Sequence, residues 1–386
     1  MSRARHTQAV ACLALGLFAA APGMAQEAAT PGTDQNKAAA REITSEVLSS
    51  TAPAFAALGV SGQTITDPES LKTAAFALLN GTDVDGKPLT GIGLQFAPAQ
   101  LVPGLSVDYN DYRTNWSKRA FARLQITGAY TRAEANNGLK PERAAIGAIW
   151  VPFDTTDPFV NTKLDKCVNL AHEKNELPIG PAPVGTGQIT NPALKSALAA
   201  CRNQFVQSAT RGFSSQIGLA KLFRRRDGGT GPIVGAGFAA SAVVSVGLDC
   251  LFSKPCGAPN PNGSHIGGKL LLGAVVRERE LIANPLDDKK FIDRNRQSFG
   301  GKLVVGNARA WWLGFEFLSQ HASYQGLGSD NYTTYSASLD IKVSKGLWLA
   351  ANYADSSGEN FGKSSQFTAG LKFALQPSSS IGGGSE

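Results

Sequence analysis

Residues 332–343 read Tyr332-Thr333-Thr334-Tyr335-Ser336-Ala337-Ser338-Leu339-Asp340-Ile341-Lys342-Val343, and this run decides the fold. Thr333, Tyr335, Ala337, Leu339, Ile341 and Val343 fall on one side of an extended chain, and the more polar residues between them fall on the other. Successive strand side chains point to opposite faces, so this is a strand with one greasy and one wet face. The pattern returns in Gln366–Gln376, where Phe367, Ala369, Leu371, Phe373 and Leu375 oppose Gln366, Thr368, Gly370, Lys372, Ala374 and Gln376. It returns again in Arg309–Gln320, where Trp311, Leu313, Phe315 and Phe317 oppose Trp312, Gly314, Glu316 and Gln320. Leu318 is an apolar exception on the wet side.

Two architectures produce such runs: a soluble sandwich with an apolar core, and a membrane barrel with an apolar outside. The runs last about ten to twelve residues, longer than the usual strand and close to what crosses a bilayer at a tilt. The beginning of the chain favours the barrel. Residues 1–25 read as an export leader, with Arg3 and Arg5, an apolar run over Ala9–Ala21, and the small residues Gly23 and Ala25 before Gln26. No other stretch approaches the roughly 18 apolar residues of a membrane helix. Loss of Arg3 and Arg5 with the leader lowers the net charge of +7 by two. That mild surplus, in an exported chain, gives no reason to expect a nucleic-acid partner. Gly is abundant, 42 of 386 residues against a usual share of about 7%, and much of it lies inside strand-like runs.

Going outward from these runs, residues 26–89 read as a short helical N-terminal segment on the periplasmic side. Its helices are expected over Asn36–Leu58 and Pro68–Leu79, with Asp67 as a cap. Residues 80–86 have calcium-loop-like Asp spacing but lack the Gly at the sixth position and the closing Glu, so they read as a plain turn. Strands are expected over Gly91–Ala97, Ala120–Tyr130, Arg143–Val151, Phe213–Phe223, Ile233–Val246, Ile266–Arg277 and Gly300–Val305, followed by the three runs above and by Leu347–Asp355, which lies between the last two of them in chain order. That makes eleven, and Leu105–Tyr109 is the candidate twelfth. Residues 152–207 read as a helical insertion, with pieces over Val160–Asn175 and Pro192–Phe205. Arg224–Arg226 reads as a solvated turn, and residues 377–386 as a flexible tail.

Once the leader is gone, Cys167, Cys201, Cys250 and Cys256 remain, an even number in an oxidising compartment. The local pairs Cys167–Cys201 and Cys250–Cys256 are expected. A metal site is the competing reading and lacks the usual ligand spacing.

Taken together, the leader, the N-terminal segment, about twelve alternating strands and an aromatic-rich last strand resemble the Gram-negative outer-membrane β-barrel, porin-like class over residues 90–376. The chain departs from that class in continuing past Phe373 into a Ser/Gly tail. The fold class expected is therefore all-β, a transmembrane antiparallel up-and-down barrel, with a soluble β-sandwich as runner-up. Both barrel ends should lie in the periplasm, which puts the 152–207 insertion on the periplasmic side.

If the wet face is the lumen, its charged residues are Arg123, Lys269, Arg277, Lys302, Lys342 and Lys372 against Glu316 and Asp340. Surplus positive charge in a low-dielectric wall attracts anions. The expected function is a passive channel for small, anionic or sugar-like solutes, in contact with outer-membrane lipid. The alternative is a non-catalytic barrel docking a periplasmic or secreted protein. A hydrolase is the third class: Ser264-His265 and His321-Ala322-Ser323 set a hydroxyl near an imidazole, but no acidic partner and no G-x-S-x-G elbow accompany them. No metal and no cofactor is expected. Trp311, Trp312, Phe315 and Phe317 read as lipid anchors.

Overall fold

The computed structural model describes residues 53–58, 64–68, 74–82, 88–102, 104–133, 142–175, 191–208, 212–225, 234–248, 266–284, 286–307, 310–344, 346–358, 360 and 363–375. The leader, the Cys250–Cys256 pair and the C-terminal tail lie outside these residues. The strands are β1 Ala74–Thr82, β2 Pro88–Phe96, β3 Leu124–Ala133, β4 Glu142–Asp154, β5 Phe213–Arg225, β6 Val234–Gly247, β7 Gly267–Asn284, β8 Asp287–Asn307, β9 Trp311–Tyr324, β10 Gly328–Ser344, β11 Leu347–Gly358 and β12 Lys363–Leu375. Each pairs antiparallel with its sequence neighbours. β1 also pairs β12, from Ala74 opposite Leu375 to Gly81 opposite Thr368, so the sheet is a closed ring of twelve.

The alternation sorts the side chains as a membrane barrel requires. Ile146, Leu219, Phe299, Phe315, Tyr335 and Tyr353 point outward from six different strands and are at least half exposed. Their neighbours one residue away, such as Ala145, Glu316, Thr334 and Asn352, point inward and are buried. A sandwich would bury its greasy faces against each other. Here they form a continuous outer belt, far larger than the apolar patch a water-soluble surface tolerates.

The ring has two ends. Ala74 and Leu375 mark the terminal end, and antiparallel order places the β2–β3, β4–β5 and β6–β7 connections at that same end. The opposite, distal end carries the β7–β8 hairpin. Expressed at the terminal end are the helices α2 Pro98–Leu101, α3 Tyr109–Thr114, α4 Trp116–Ala122, α5 Thr162–Lys174 and α6 Pro192–Ser208, with a short 3-10 turn at Pro158–Val160. Asp108, Asn115 and Asn161 cap the starts of α3, α4 and α5 by accepting from Asn110, Lys118 and both Lys163 and Leu164 backbone N–H groups. Cys167 and Cys201 are joined in a disulfide, with Cα atoms 5.8 Å apart, which ties α5 to α6. Inside the ring lies α1, Pro53–Leu58, followed by the extended residues 64–68.

Several expectations change. The helix read over Pro68–Leu79 is strand β1 from Ala74 onward. Its Ala- and Leu-rich sequence suits a helix, but as a strand it bonds on both edges and closes the ring, and tertiary pairing outweighs propensity. That strand supplies the twelfth position. Leu105–Tyr109 is not a strand, and it leads into α3. The ring therefore begins at residue 74, not 90, and of the N-terminal segment only Pro53–Leu58 is helical among the described residues. Strand β3 starts at Leu124, because 116–122 is the helix α4. Arg224 is not in a solvated turn: it is buried and paired with Asp293.

Candidate functional site

The lumen is occupied by the chain itself: residues 53–58 and 64–68 form a plug inside the ring. Lys269 and Asp67 form an ion pair of 2.7 Å towards the terminal end. The backbone N–H groups of Thr64 and Ile65 donate to the Glu316 carboxylate at 3.0 and 2.8 Å. Gln216 Nε2 donates to the Thr66 hydroxyl at 3.1 Å. Towards the distal end, Arg277 donates from Nη2 to the Ala56 carbonyl at 2.5 Å and from Nε to the Ala57 carbonyl at 3.2 Å. An extended segment has unpaired backbone groups, and each needs a partner once water is excluded. Inward-facing charged side chains of the strands supply them.

Apolar contacts complete the seat. Ile65 packs with Val243, Leu271 and Leu318, which accounts for the apolar exception on the wet side of β9. Phe55 and Leu58 pack with Leu79, Leu89, Ala145 and Leu222. At Gly273 an added Cβ would stand 3.0 Å from the Ile65 side chain, and at Gly91 it would stand 3.1 Å from Phe55. At these two positions the wall is kept bare for the close approach of the plug. A cavity of about 30 Å³ remains between plug and wall beside Thr64, Thr66 and Ser241, room for one or two waters by that measure.

Distal to the plug lies a basic cluster. Arg294 and Arg296 both donate to Glu280, at 2.8 and 2.9 Å between Nη2 atoms and the two carboxylate oxygens. Arg277 stands opposite Arg296 in the β7–β8 register. Arg224 pairs with Asp293, and Arg279, at positive φ, lies 3.6 Å from the same carboxylate.

The terminal end is covered by the helices. Their core joins Tyr112, Phe159, Leu164, Val168, Leu194 and Phe205 to two inward-facing tryptophans of the barrel, Trp312 and Trp348. A buried triad fastens this cap to the strands: Tyr112 Oη donates to Asp157 Oδ2 at 2.5 Å, Arg123 Nη2 donates to the same oxygen at 2.6 Å, and Arg123 Nη1 reaches the Pro152 carbonyl at 3.3 Å. Burial pushes the Tyr112 pKa well above its ordinary value. Burial opposes the Arg123 charge too, but Tyr112 and Asp157 outweigh it and hold that pKa raised. Arg113 adds an ion pair of 2.5 Å to Asp165 of α5.

The expected lumen residues therefore separate into three places. Lys269, Arg277, Lys302 and Glu316 face the plug. Asp340 and Lys372 face inward and pair with each other at 2.7 Å, and Lys342 lies over the Trp348 ring, 5.7 Å from its centre. Arg123 is not a lumen residue: it follows α4 as its C-cap and belongs to the cap triad. Trp312 faces the cap rather than lipid, whereas Phe315 and Phe317 are exposed on the belt. The alternation identified inward charges but not Glu280, Arg294 and Arg296, which lie in a stretch polar on both sides. Of the histidines, His321 is on the outer face with Nδ1 2.7 Å from the Asn331 side-chain oxygen, His172 is buried in the cap, and His265 lies outside the described residues.

No family model matches the sequence, and no curated protein matches it. Among solved structures the chain is similar to a KdgM porin, at 7% identity and a TM-score of 0.34, over 78% of this chain and 99% of that one. It is similar to a NanC porin, at 6% identity and 0.34, over 78% and 100%. It is also similar to LpxR from Salmonella typhimurium, at 9% identity and 0.36, over 78% and 100%.

Proposed function

We propose that this chain is an outer-membrane barrel that conducts small solutes, anions in preference, when residues 53–58 and 64–68 leave the lumen. The observation that carries the reading is the wall behind the plug. Where the plug is peeled away, the strands present Lys269, Arg277, Lys302, Gln216 and Glu316 among the apolar side chains that seat Phe55, Leu58 and Ile65, and these charged and polar groups keep the wall hydrated. Basic residues outnumber acidic ones on it, which favours anions. Leaving exchanges the polar contacts for water but exposes Phe55, Leu58 and Ile65, so the seated state prevails and openings are brief.

The test is conductance in a planar bilayer under a salt gradient. The wild-type protein is expected to be closed most of the time, with brief anion-selective openings. Glu316→Gln removes the charge that accepts from Thr64 and Ile65, at a cost on the order of 1–3 kcal/mol to the seated plug, and should raise the open fraction. Cation preference, or silence in both proteins, defeats the reading.

A second reading, a barrel that docks a protein at its terminal end, is favoured by one observation. Leu101, Val102, Leu105, Trp116 and Phe121 are exposed together along the 101–121 stretch of the cap. A photo-crosslinking residue in place of Trp116, in intact cells, should capture one defined protein band. Capture of lipid alone would make this face a membrane anchor and remove the docking reading.

A further inference from the structure

Arg277 and Arg296 stand directly opposite each other on β7 and β8, although like charges in that relation destabilise a sheet. Arg294 is on the same face, and Arg294 and Arg296 divide the carboxylate of Glu280 between them. Arg277 is 1% exposed, and among the described residues no carboxylate lies within ion-pair distance of it. Its bonds run to the plug carbonyls of Ala56 and Ala57. Arg277 Nη1, Arg296 Nε and the Tyr332 hydroxyl are buried with no hydrogen-bond partner among the described residues. Buried donors left open and buried positive charge left uncompensated are both costly, and folding alone gives no reason to gather them in one place.

We propose that Arg277, Arg294, Arg296 and Tyr332 form a receptor for a small soluble dianion of the sulfate, phosphate or dicarboxylate type, and that its binding draws Arg277 off the Ala56 and Ala57 carbonyls and unseats the plug. The guanidinium fork matches such oxyanions in a bidentate manner. The groups point into the lumen, so the headgroup of a lipid on the outer belt does not reach them. The ligand enters from the distal mouth. Arg277 is the shared element: its Nε and Nη2 hold the plug, and its Nη1 is left open for the ligand. A ligand that binds better when Arg277 is released from the plug must shift the plug towards release, and the coupling is reciprocal. This deepens the channel reading by naming what opens the barrel.

The experiment uses the full chain in detergent, with no bilayer, so that it does not depend on conduction. Radiolabelled inorganic sulfate is measured by equilibrium dialysis, and hydrogen–deuterium exchange is followed over residues 53–58 and 64–68. Wild type should bind sulfate saturably, and exchange over these residues should rise as sulfate is added. Arg296→Gln should weaken binding by at least about tenfold and abolish the exchange response, while Lys195→Gln, exposed on the cap, changes neither. If Arg296→Gln fails to fold, Tyr332→Phe, which keeps every charge, decides: it should weaken binding by a few-fold. No saturable binding in wild type, or unaltered binding in both variants, overturns the receptor. Binding without a rise in exchange over the plug residues overturns the coupling. Either failure leaves the conductance experiment free to succeed or fail separately.

Discussion

His172 sits on the buried side of α5, and its Nδ1 has no hydrogen-bond partner among the described residues. Burial disfavours the imidazolium and lowers the pKa from its ordinary value. The unfolded cap has a histidine near pKa 6.5, so below that pH the unfolded form takes up a proton that the folded form resists. Stability of the cap is therefore full above about pH 6.5 and falls as the pH drops through the window beneath it. Protection of the amides of residues 162–174, taken relative to their intrinsic exchange rate at each pH, should fall between about pH 7 and pH 5, and His172→Gln should flatten that dependence. An unchanged profile in the variant would assign the acid sensitivity to other groups. The same scale shows what the sequence could reveal about the plug. Alternation placed Arg277, Lys302 and Glu316 inward, because facing is a property of position along one strand. Their partners were hidden, since Glu316 meets Ile65 across 251 residues of sequence and no local pattern encodes such a distance. Leu318 was the visible trace: an apolar residue on a wet face has an apolar neighbour somewhere in the lumen.

Elements were legible where one period ruled and obscure where two fitted. β9, β10 and β12 each carry several apolar–polar repeats, and they stand where they were expected. β1 reads Ala-Ala-Phe-Ala-Leu-Leu-Asn-Gly-Thr, a sequence that serves a short helix as well as a strand, and only ring closure with β12 and β2 decides between them. The pairing of the insertion's helices was readable because Cys167 and Cys201, 34 residues apart, fall one in each helical piece. Helix α4 was not, since its residues Ala120–Ala122 run straight into the alternation of β3. β8 was read only at its apolar half. At 21 residues it rises roughly 70 Å along its own axis, well beyond what a belt about 25 Å tall requires even with tilt. The stretch from Asp293 to Gln297 is polar on both sides, and that is the part that brings Arg294 and Arg296 to Glu280.

At the scale of the whole molecule the ring has an inside that is filled at both depths, by the plug and by the cap, and an outside that is bare hydrocarbon. Accessible area alone does not say whether that outside faces water or lipid, because an exposed leucine in a membrane and an exposed alanine in water both count as uncovered. Substitution energies do. Leu219 lies midway along β5 and points outward with 62% of its surface exposed. In lipid, arginine at such a position costs about 2–4 kcal/mol near the bilayer midplane. Ala193, exposed on α6 of the cap, faces water at the terminal end, and arginine there should change stability by no more than about 0.5 kcal/mol. Reversible urea unfolding in lipid vesicles gives both differences. Leu219→Arg should be destabilised by several times the Ala193→Arg effect, and the excess should shrink for outward positions nearer either end of β5. Equal effects at the two positions would mean that the belt is bathed in water. A closed ring would then remain, but it would not stand in a membrane, and neither the channel nor its anion-released plug would have two compartments to connect.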